Sequence, residues 1–277
     1  MINEHVILAF SLTLFAGLAT GIGGAIALIS KKMSTKFLSF ALGFSAGIMI
    51  YVSFVEIFFK AQTSLISHLG NNLGMWVTVI SFFAGILIIS IIDKFIPSIN
   101  SPEAMKTIKN LNSNPNSTNS SLDEVEQQKL MRMGLLMALA IAIHNFPEGL
   151  ATFMATLEDP SVGFAIAIAI AIHNIPEGIA VAVPIYYATG NKKLAFKYSL
   201  LSGIAEPLGA LIGYVLLYNF FNDLVFGIVF GLIGGIMVFI SIDQLLPTAR
   251  EYGEHNLSIY GFIAGMGVMA LSLLLLG

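Results

Sequence analysis

The sequence predicts an all-α integral membrane protein, built as one domain over residues 1–277 and crossing the bilayer eight times. Hydrophobic residues make up 56% of the chain, charged residues only 10%, and the mean hydropathy is +0.86, which excludes an ordinary soluble protein. Apolar runs of about 20 residues, enough to cross roughly 30 Å of hydrocarbon, recur along the chain. These runs cover residues 5–29, 37–59, 72–93, 131–157, 161–187, 194–218, 224–246 and 257–276.

The basic residues predict how the eight spans are oriented. The loops after the first, third, fifth and seventh spans share one side of the membrane, and all the basic residues except Lys60 lie in these loops or at the adjoining ends of the spans. Because basic residues accumulate on the cytoplasmic side, we expect both chain termini to lie outside. The residues on the cytoplasmic side are Lys31, Lys32, Lys36, Lys94, Lys106, Lys109, Lys129, Arg132, Lys192, Lys193, Lys197 and Arg250.

The first three spans are predicted as transmembrane helices, and the second has an acid, Glu56, near its outer end. The N-terminal stretch MINEHVILAF has no basic region, and the first apolar run is long enough to span, so we expect no cleaved signal peptide. The chain has 26 glycines, which suit the close backbone approach of membrane helices.

The third span is followed by a long polar stretch, at about 95–129. Asn, Ser and Pro dominate it, so it cannot bury a core and is predicted to be a flexible cytoplasmic loop. It contains no histidine, which argues against a metal-sensing role. The chain has no cysteine, which excludes disulfides and thiolate metal ligands.

The fourth and fifth spans contain two copies of one phrase. AIAIHNFPEGLA covers 140–151 and AIAIHNIPEGIA covers 169–180, and ten of the twelve positions are identical. Within each copy the histidine and the glutamate are four residues apart, so they lie on one helical face, one turn apart. Pro147 and Pro176 lack the N–H donor of an ordinary helical residue and so free a backbone carbonyl near the middle of the span. Interrupted helices at the midplane are typical of transporter binding sites.

Ionisable side chains inside the apolar runs have no basic partner there. A charged group at the bilayer centre costs about 2.5–3.5 kcal/mol on insertion scales, so such groups normally pair with a counter-charge or line a pathway. His144, His173 and Glu206 fall near the middle of the fourth, fifth and sixth spans, at one depth. A bound cation accounts for them most simply, and two kinked helices whose polar groups satisfy one another are the alternative. Leaving aside the end residues of the runs, the acidic and histidine side chains are Glu56, His144, Glu148, His173, Glu177, Glu206 and Asp243.

The ligand types narrow the choice of metal. Imidazole suits zinc, iron, nickel and copper, whereas carboxylate and amide oxygens suit harder ions, so a mixed set predicts Zn²⁺, Fe²⁺, Mn²⁺, Co²⁺ or Cd²⁺. The spacing permits two adjacent sites that share two glutamates. The first site would use His144, Glu148, His173 and Glu177. The second would use Asn145, Asn174 and Glu206 together with Glu148 and Glu177.

The seventh span repeats part of the second. GIMIYVS at 47–53 and GIMVFIS at 235–241 lie in spans of opposite direction, as do the two copies of the longer phrase. Inverted repeats around a midplane site are typical of alternating-access transporters. We hypothesise that Glu56 receives cations at the outer vestibule and that Asp243 helps them leave; carboxylates that merely reach water at the interface are the alternative. The eighth span has no acidic or basic residue.

Eight spans with both ends outside, HNxPEG in the fourth and fifth spans, and a glutamate in the sixth resemble the ZIP family of divalent metal transporters. The short, histidine-free loop is most similar to the bacterial ZupT-like branch of that family. The resemblance covers essentially the whole chain. It implies import of zinc, and often of other divalent cations, toward the cytoplasm through a binuclear centre formed by the two sites described above.

The resemblance also implies a 3+2+3 inverted-repeat arrangement, with helices 1–3 and 6–8 around the fourth and fifth, and a homodimer in the lipid bilayer. It implies an elevator-like motion of helices 1, 4, 5 and 6 against the other four. The chain departs from the family at Gln244, since the seventh span usually reads D-E-L-[LI]-P there and this chain reads D-Q-L-L-P. The lost acid weakens any prediction of a third, inner metal site.

Two other classes of protein remain open on the sequence alone. One is a membrane-embedded metalloenzyme with a binuclear His/Glu centre, although those sites usually have Glu-x-x-His spacing, which is absent here. The other is a passive channel or an exporter for the same cations. We expect no enzyme activity, no organic cofactor and no nucleic-acid partner. A short chain without cysteine or targeting sequence indicates the cytoplasmic membrane of a bacterium.

Overall fold

The computed structural model of the protein describes residues 4–29, 35–94, 107, 124–217, 222–252 and 255–276. Within these ranges it is built from helices and contains no strand. Eight of the helices are long and apolar enough to cross a membrane, which confirms the predicted fold class. They are α1 (Glu4–Ile29), α2 (Thr35–Leu69), α3 (Asn71–Asp93), α4 (Glu124–Glu158), α5 (Pro160–Thr189), α6 (Lys192–Leu217), α7 (Asp223–Tyr252) and α8 (His255–Leu276).

The second helix is longer than the sequence predicts. The apolar run ends before Lys60, whereas α2 continues to Leu69. The extra turns form because Ala61 and Leu65 are buried against α7. Gly70 then adopts a φ of 79°, which glycine takes without strain, and ends the helix. Lys60 therefore lies inside a helix, whereas the end of the apolar run at residue 59 predicts a loop there.

The seventh helix also passes its predicted end, at residue 246, and includes Pro247. A proline inside a regular helix removes a backbone hydrogen bond. Here Ser241–Leu245 forms a π-helical turn, in which the N–H of Leu246 donates to the carbonyl of Ser241, five residues earlier. Because this turn already offsets the hydrogen-bond ladder, the proline is accommodated and the helix continues.

The predicted flexible loop at about 95–129 lies largely outside the described residues. Its last part, 124–129, is described and forms the beginning of α4. The apolar run predicts a start at residue 131, but the preceding stretch EVEQQK contains no glycine or proline and is rich in good helix formers. The fourth helix therefore extends beyond its apolar part at the predicted cytoplasmic end.

Each of α2 and α7 contains one π-helical turn, and the two turns occupy equivalent positions. Ser53–Ile57 begins at the last residue of GIMIYVS, and Ser241–Leu245 begins at the last residue of GIMVFIS. In each turn the first serine donates its hydroxyl to the carbonyl four residues earlier, to Met49 at 2.6 Å and to Met237 at 2.7 Å. The repeated phrase therefore corresponds to a shared irregularity of the backbone.

The helices pack as two groups. The first helix group comprises α1, α4, α5 and α6, and the second helix group comprises α2, α3, α7 and α8. They meet where α5 packs against α2 and α8, and where α4 packs against α7. At this interface Ser45 of α2 donates to the carbonyl of His173 at 3.0 Å, and Ser272 of α8 donates to the carbonyl of Ala165 at 3.3 Å. Helix α5 is the most deeply buried of the eight.

Glycines let α2 and α8 approach closely within the second helix group. Gly43 and Gly47 on α2 face backbone carbonyls of α8, and Gly261 and Gly265 on α8 face backbone carbonyls of α2. Each pair has the four-residue spacing of closely packed membrane helices. A Cβ atom at any of these positions would overlap the facing carbonyl, so the helix separation depends on the missing side chains.

We predict that Gly265→Ala lowers the melting temperature of the purified protein in detergent. The added Cβ would overlap the carbonyl of Phe44, and overpacking of this kind costs about 1–3 kcal/mol. Gly267→Ala is the matched control in the same helix, because a Cβ there meets nothing within 4 Å among the described residues. Equal melting temperatures for the two variants would contradict this account of the packing.

Candidate metal centre

The two copies of the repeated phrase meet in the interior of the bundle. Helices α4 and α5 continue through Pro147 and Pro176, so the prolines lie inside unbroken helices. The predicted ligand side chains are at most 1% exposed, although each carries a strongly polar group. They are His144, Asn145, Glu148, His173, Asn174, Glu177 and Glu206, the last contributed by α6.

The histidines and glutamates of the two helices are paired crosswise. His144 Nε2 lies 3.0 Å from Glu177 Oε2, within hydrogen-bond distance. His173 Nε2 lies 3.4 Å from Glu148 Oε1, and this contact leaves both atoms without a hydrogen bond. Each histidine thus faces the carboxylate of the opposite copy, four residues further along. The i, i+4 pairs predicted from the sequence are brought together, and the closest contacts run between the copies.

The two asparagines are oriented by backbone carbonyls of neighbouring helices. Asn145 donates its amide nitrogen to the carbonyl of Ser202 on α6 at 3.1 Å. Asn174 donates to the carbonyl of Ala16 on α1 at 2.9 Å. Both amide oxygens remain without a hydrogen-bond partner within the described part of the chain. Because the nitrogen atoms are already engaged, the oxygen atoms are the groups left free to bind a cation.

Glu206 joins the centre from α6. One of its oxygens accepts a hydrogen bond from the amide of Asn174, and the carboxylate lies within electrostatic range of Glu148 and Glu177. Gly149 of α4 faces the backbone of Glu206 so closely that a Cβ atom would overlap it. This close approach of α4 and α6 brings the third carboxylate to the centre.

Unsatisfied polar atoms are concentrated in this centre. Of its buried side-chain nitrogen and oxygen atoms, nine have no hydrogen-bond partner among the described residues. An unsatisfied buried polar group costs about 1–3 kcal/mol, and more when it is charged. The nine atoms are His144 Nδ1, Asn145 Oδ1, Glu148 Oε1 and Oε2, His173 Nδ1 and Nε2, Asn174 Oδ1, Glu177 Oε1 and Glu206 Oε2.

These side chains do not form a closed cage as they are placed. Among the described residues, no group of three or more His, Asp or Glu side chains has the spacing needed to hold one metal ion. The crosswise pairing is the reason, because each imidazole approaches the carboxylate directly and leaves no room for a cation between them. Rotation of Glu148 and Glu177 about their side-chain bonds would open both contacts and make the oxygens available.

Several groups around the centre are absent from the sequence prediction. Ser202 and Ala16 act through backbone carbonyls, for which residue type carries no signal. Ser45 donates to the carbonyl of His173 from the second helix group. Thr152 lies one turn beyond Glu148 on α4 and has a buried hydroxyl without a partner in the described chain; its i+4 spacing is a signal that was available in the sequence.

The carboxylate of Glu56 lies apart from the centre and has a basic neighbour. Lys60 is one turn further along α2, with its Nζ 3.7 Å from Glu56 Oε1. The prediction that carboxylates inside the spans have no basic partner is therefore wrong for Glu56. It fails because the apolar run ends before Lys60 while the helix does not.

Asp243 is also separate from the centre. It lies on an exposed side of the π-helical turn of α7, in the neighbourhood of Asp93 at the end of α3. The adjacent Gln244 donates its amide to Asp93 Oδ1 at 3.0 Å. A glutamate at position 244 would place its carboxylate against that of Asp93, and the two would repel each other. The contact with Asp93 therefore explains why this chain has glutamine at position 244.

Comparison with known proteins supplies the family. A family model described as "ZIP Zinc transporter" matches residues 4–273, almost the whole chain. The chain belongs to the ZIP family. Its curated relatives include proteins named "Zinc transporter ZupT" from three bacteria. The Oceanobacillus iheyensis protein is 60% identical over 273 residues, with 99% of each chain covered. The Clostridium perfringens protein is 58% identical over 276 residues, covering 98% of this chain and 97% of the relative. The Streptococcus mutans protein is 57% identical over 273 residues, with 99% of each covered.

Membership of the ZIP family makes the protein a divalent metal transporter and confirms the prediction that it is not an enzyme. The metalloenzyme alternative is thereby set aside. Eight apolar helices and bacterial ZIP relatives also confirm the predicted location, a multi-pass protein of the bacterial cytoplasmic membrane.

We predict that Glu148→Gln weakens zinc binding by the purified protein about tenfold or more. The change replaces a buried carboxylate, shared by both predicted sites, with an uncharged amide of the same shape. Isothermal titration in detergent measures the affinity, and a melting curve checks that the fold is retained. His68→Ala, at an exposed position near the end of α2, is the control and should bind as the wild type does. Wild-type affinity in Glu148→Gln would remove this residue from the ligand set.

Proposed function

We propose that this ZIP-family protein imports divalent metal cations into the cytoplasm, with Zn²⁺ as the principal substrate, through a binuclear centre on α4, α5 and α6. The observation that carries the proposal is the concentration of unpartnered buried nitrogen and oxygen atoms between these three helices. Such atoms are costly to bury unless a ligand satisfies them. The whole chain serves this purpose as one transmembrane transporter domain.

The charge of the centre supports two ions. Three glutamates are fully buried there, and both neighbouring histidines are neutral when they bind a metal. A single divalent cation would leave one negative charge in the membrane interior, where unpaired charge is costly. Two cations bring the total to one positive charge, which displacement of a proton from bound water can offset. The donors divide between the ions as the sequence predicts, with Glu148 and Glu177 shared.

The donor set supports zinc without restricting the protein to it. Imidazole nitrogen and carboxylate oxygen are ordinary zinc ligands, and the relatives reported above are named as zinc transporters. Amide oxygens also suit harder cations, and affinity at such a site follows the intrinsic order of the metals. Fe²⁺, Mn²⁺, Co²⁺ and Cd²⁺ are therefore proposed as additional substrates that compete with Zn²⁺.

The packing of the helices supports alternating access. Six of the seven proposed ligands lie on α4 and α5 and the seventh on α6, so the centre belongs to the first helix group. A movement of that group against the second would carry the ions from one side of the membrane to the other. The matching π-helical turns of α2 and α7 support the proposed 3+2+3 inverted repeat. Both termini outside and a homodimer complete the proposed arrangement.

The roles of Glu56 and Asp243 are part of the same proposal. Glu56 lies in the outer part of α2 and Asp243 in the inner part of α7, so each is placed on one side of the centre. We assign Glu56 to the capture of cations from outside and Asp243 to their release. Both carboxylates are partly exposed, which gives hydrated ions access to them.

We predict that proteoliposomes containing the wild-type protein take up labelled zinc with saturation. Glu148→Ala and Glu206→Ala should each abolish saturable uptake, because each removes a charged ligand of the binuclear centre. Fe²⁺ and Mn²⁺ added as competitors should reduce zinc uptake in proportion to their affinity. The same His68→Ala variant controls for expression and reconstitution.

Three results would revise this proposal. Uptake that rises linearly with zinc concentration would indicate a passive channel. Loss of zinc from intact cells that express the protein, instead of accumulation, would indicate an exporter. Saturable uptake that survives in Glu148→Ala would place the transport site elsewhere in the bundle.

We predict that Glu56→Gln and Asp243→Asn each change the kinetics of zinc uptake about two- to tenfold, since each removes a negative charge along the path of a cation. Glu56→Gln should act on the zinc concentration needed for half-maximal uptake, and Asp243→Asn on the maximal rate. Glu124→Gln, at an exposed position at the start of α4, is the control for loss of one negative charge. Unchanged kinetics in either variant would reduce that residue to an interfacial carboxylate.

A further inference from the structure

Lys60 is unusual among the basic residues of this chain. It lies on the side opposite to all other lysines and arginines in the predicted orientation, and it is inside α2 with only 17% of its side chain exposed. Burying most of a lysine costs free energy unless its ammonium group is paired. Its neighbours therefore indicate what this residue does.

The ammonium group of Lys60 bridges the two helix groups. Its Nζ lies 3.3 Å from Glu158 Oε2, at the last residue of α4, and donates a hydrogen bond to it. The same Nζ lies 3.7 Å from Glu56 Oε1 within α2. Helix α2 belongs to the second group and α4 to the first, so the contact with Glu158 crosses the interface while the contact with Glu56 does not.

The other carboxylate nearby is already engaged. Asp159 accepts hydrogen bonds from the backbone N–H of Ser161 at 2.9 Å and from its hydroxyl at 2.6 Å. These bonds cap the start of α5 and hold the pKa of Asp159 below its usual value. Glu158 has no such local role, so its carboxylate is available to Lys60.

The helices around this contact leave space between them. A cavity of about 240 Å³ lies next to Glu158, lined by Ser64 of α2, Met154 and Leu157 of α4, and Phe226 of α7. Side chains of both helix groups therefore line an open volume at the outer end of the interface. Where packing leaves such a gap, an ion pair across it influences how far the two groups separate.

We propose that Lys60 is a positioning residue that tethers the outer end of α2 to α4, and that its ion pair with Glu158 breaks each time the two helix groups move relative to each other. The proposal rests on the proposed transport function. Glu158 is about half exposed, so water competes for the pair; an ion pair of this kind contributes little free energy and re-forms readily. We expect its loss to change the balance between two arrangements of the groups by about two- to fivefold.

The distance between the groups tests the tether without any measurement of transport. The chain has no cysteine, so Thr63→Cys on α2 and Phe164→Cys on α5, both exposed, accept spin labels selectively. Pulsed electron–electron double resonance on the purified protein then gives the distribution of distances between the two spin labels. Lys60→Gln and Glu158→Gln should each shift the populations by about two- to fivefold, in the same direction. The double variant should shift them no further than either single one.

Conservative and charge-matched variants separate a tether from a general effect. Lys60→Arg keeps the charge and should retain the wild-type distribution and the wild-type maximal rate of zinc uptake. Lys192→Gln, which removes an exposed lysine at the other end of the bundle, should change neither. Lys60→Gln should change the maximal rate about two- to fivefold.

Identical distance distributions in wild type, Lys60→Gln and Glu158→Gln would overturn the tether, as would additive shifts in the double variant. If the wild-type protein shows no uptake, the transport proposal fails, and the distance distributions still decide whether Lys60 holds the two groups together. A shift in Lys60→Gln that Lys60→Arg fails to restore would also overturn the assignment, because it would reflect packing of the side chain and not its charge.

Discussion

Three glutamates buried together in a membrane protein impose a constraint on everything around them. Glu148, Glu177 and Glu206 are fully buried, and Glu206 lies within electrostatic range of the other two. In a low-dielectric interior such carboxylates are stable only when they are protonated, hydrogen-bonded or bound to cations. His144 and Asn174 satisfy some of the carboxylate oxygens, but other buried polar atoms of the centre have no hydrogen-bond partner among the described residues. The arrangement of helices α4, α5 and α6 follows from keeping these groups together and out of contact with lipid.

Close packing makes that arrangement possible. Gly149 lets α4 approach the backbone of Glu206, and Gly178, next to Glu177, lets α5 approach the carbonyl of Thr20 on α1. These contacts bring the carbonyls of Ala16 and Ser202 within reach of the two asparagine amides. The glycines therefore shape the candidate metal centre, since a larger residue would push apart the helices that orient its polar side chains. The backbone carbonyls of Ser202 and Ala16 thus orient the two asparagines, and the small residues let the helices come close enough for this.

The sequence predicts the spans well, and it predicts which polar residues meet in the interior, because both depend on strong local signals. A run of apolar residues identifies a membrane helix, and two copies of HNxPEG single out the candidate donors directly. Contacts that depend on tertiary packing give no such signal. The continuation of α2 past Lys60 depends on burial of Ala61 and Leu65 against another helix, and the choice of Gln244 depends on Asp93 in a different span. The crosswise pairing of His144 with Glu177 likewise depends on the distance between α4 and α5, which the spacing of residues along the sequence does not specify.

The matching π-helical turns of α2 and α7 have a consequence for the direction of movement across the membrane. Superimposed on their first residues, Ser53 and Ser241, the two turns place Glu56 opposite Gln244, and Asp243 opposite Val55. The two turns therefore share a backbone conformation but place their acidic side chains at different positions. A carboxylate beside an ammonium group stands at one end, and a carboxylate beside an amide and a second carboxylate stands at the other. Under the roles proposed for Glu56 and Asp243, a cation would therefore meet different chemical groups at the two ends of the bundle, and its affinity would differ between them.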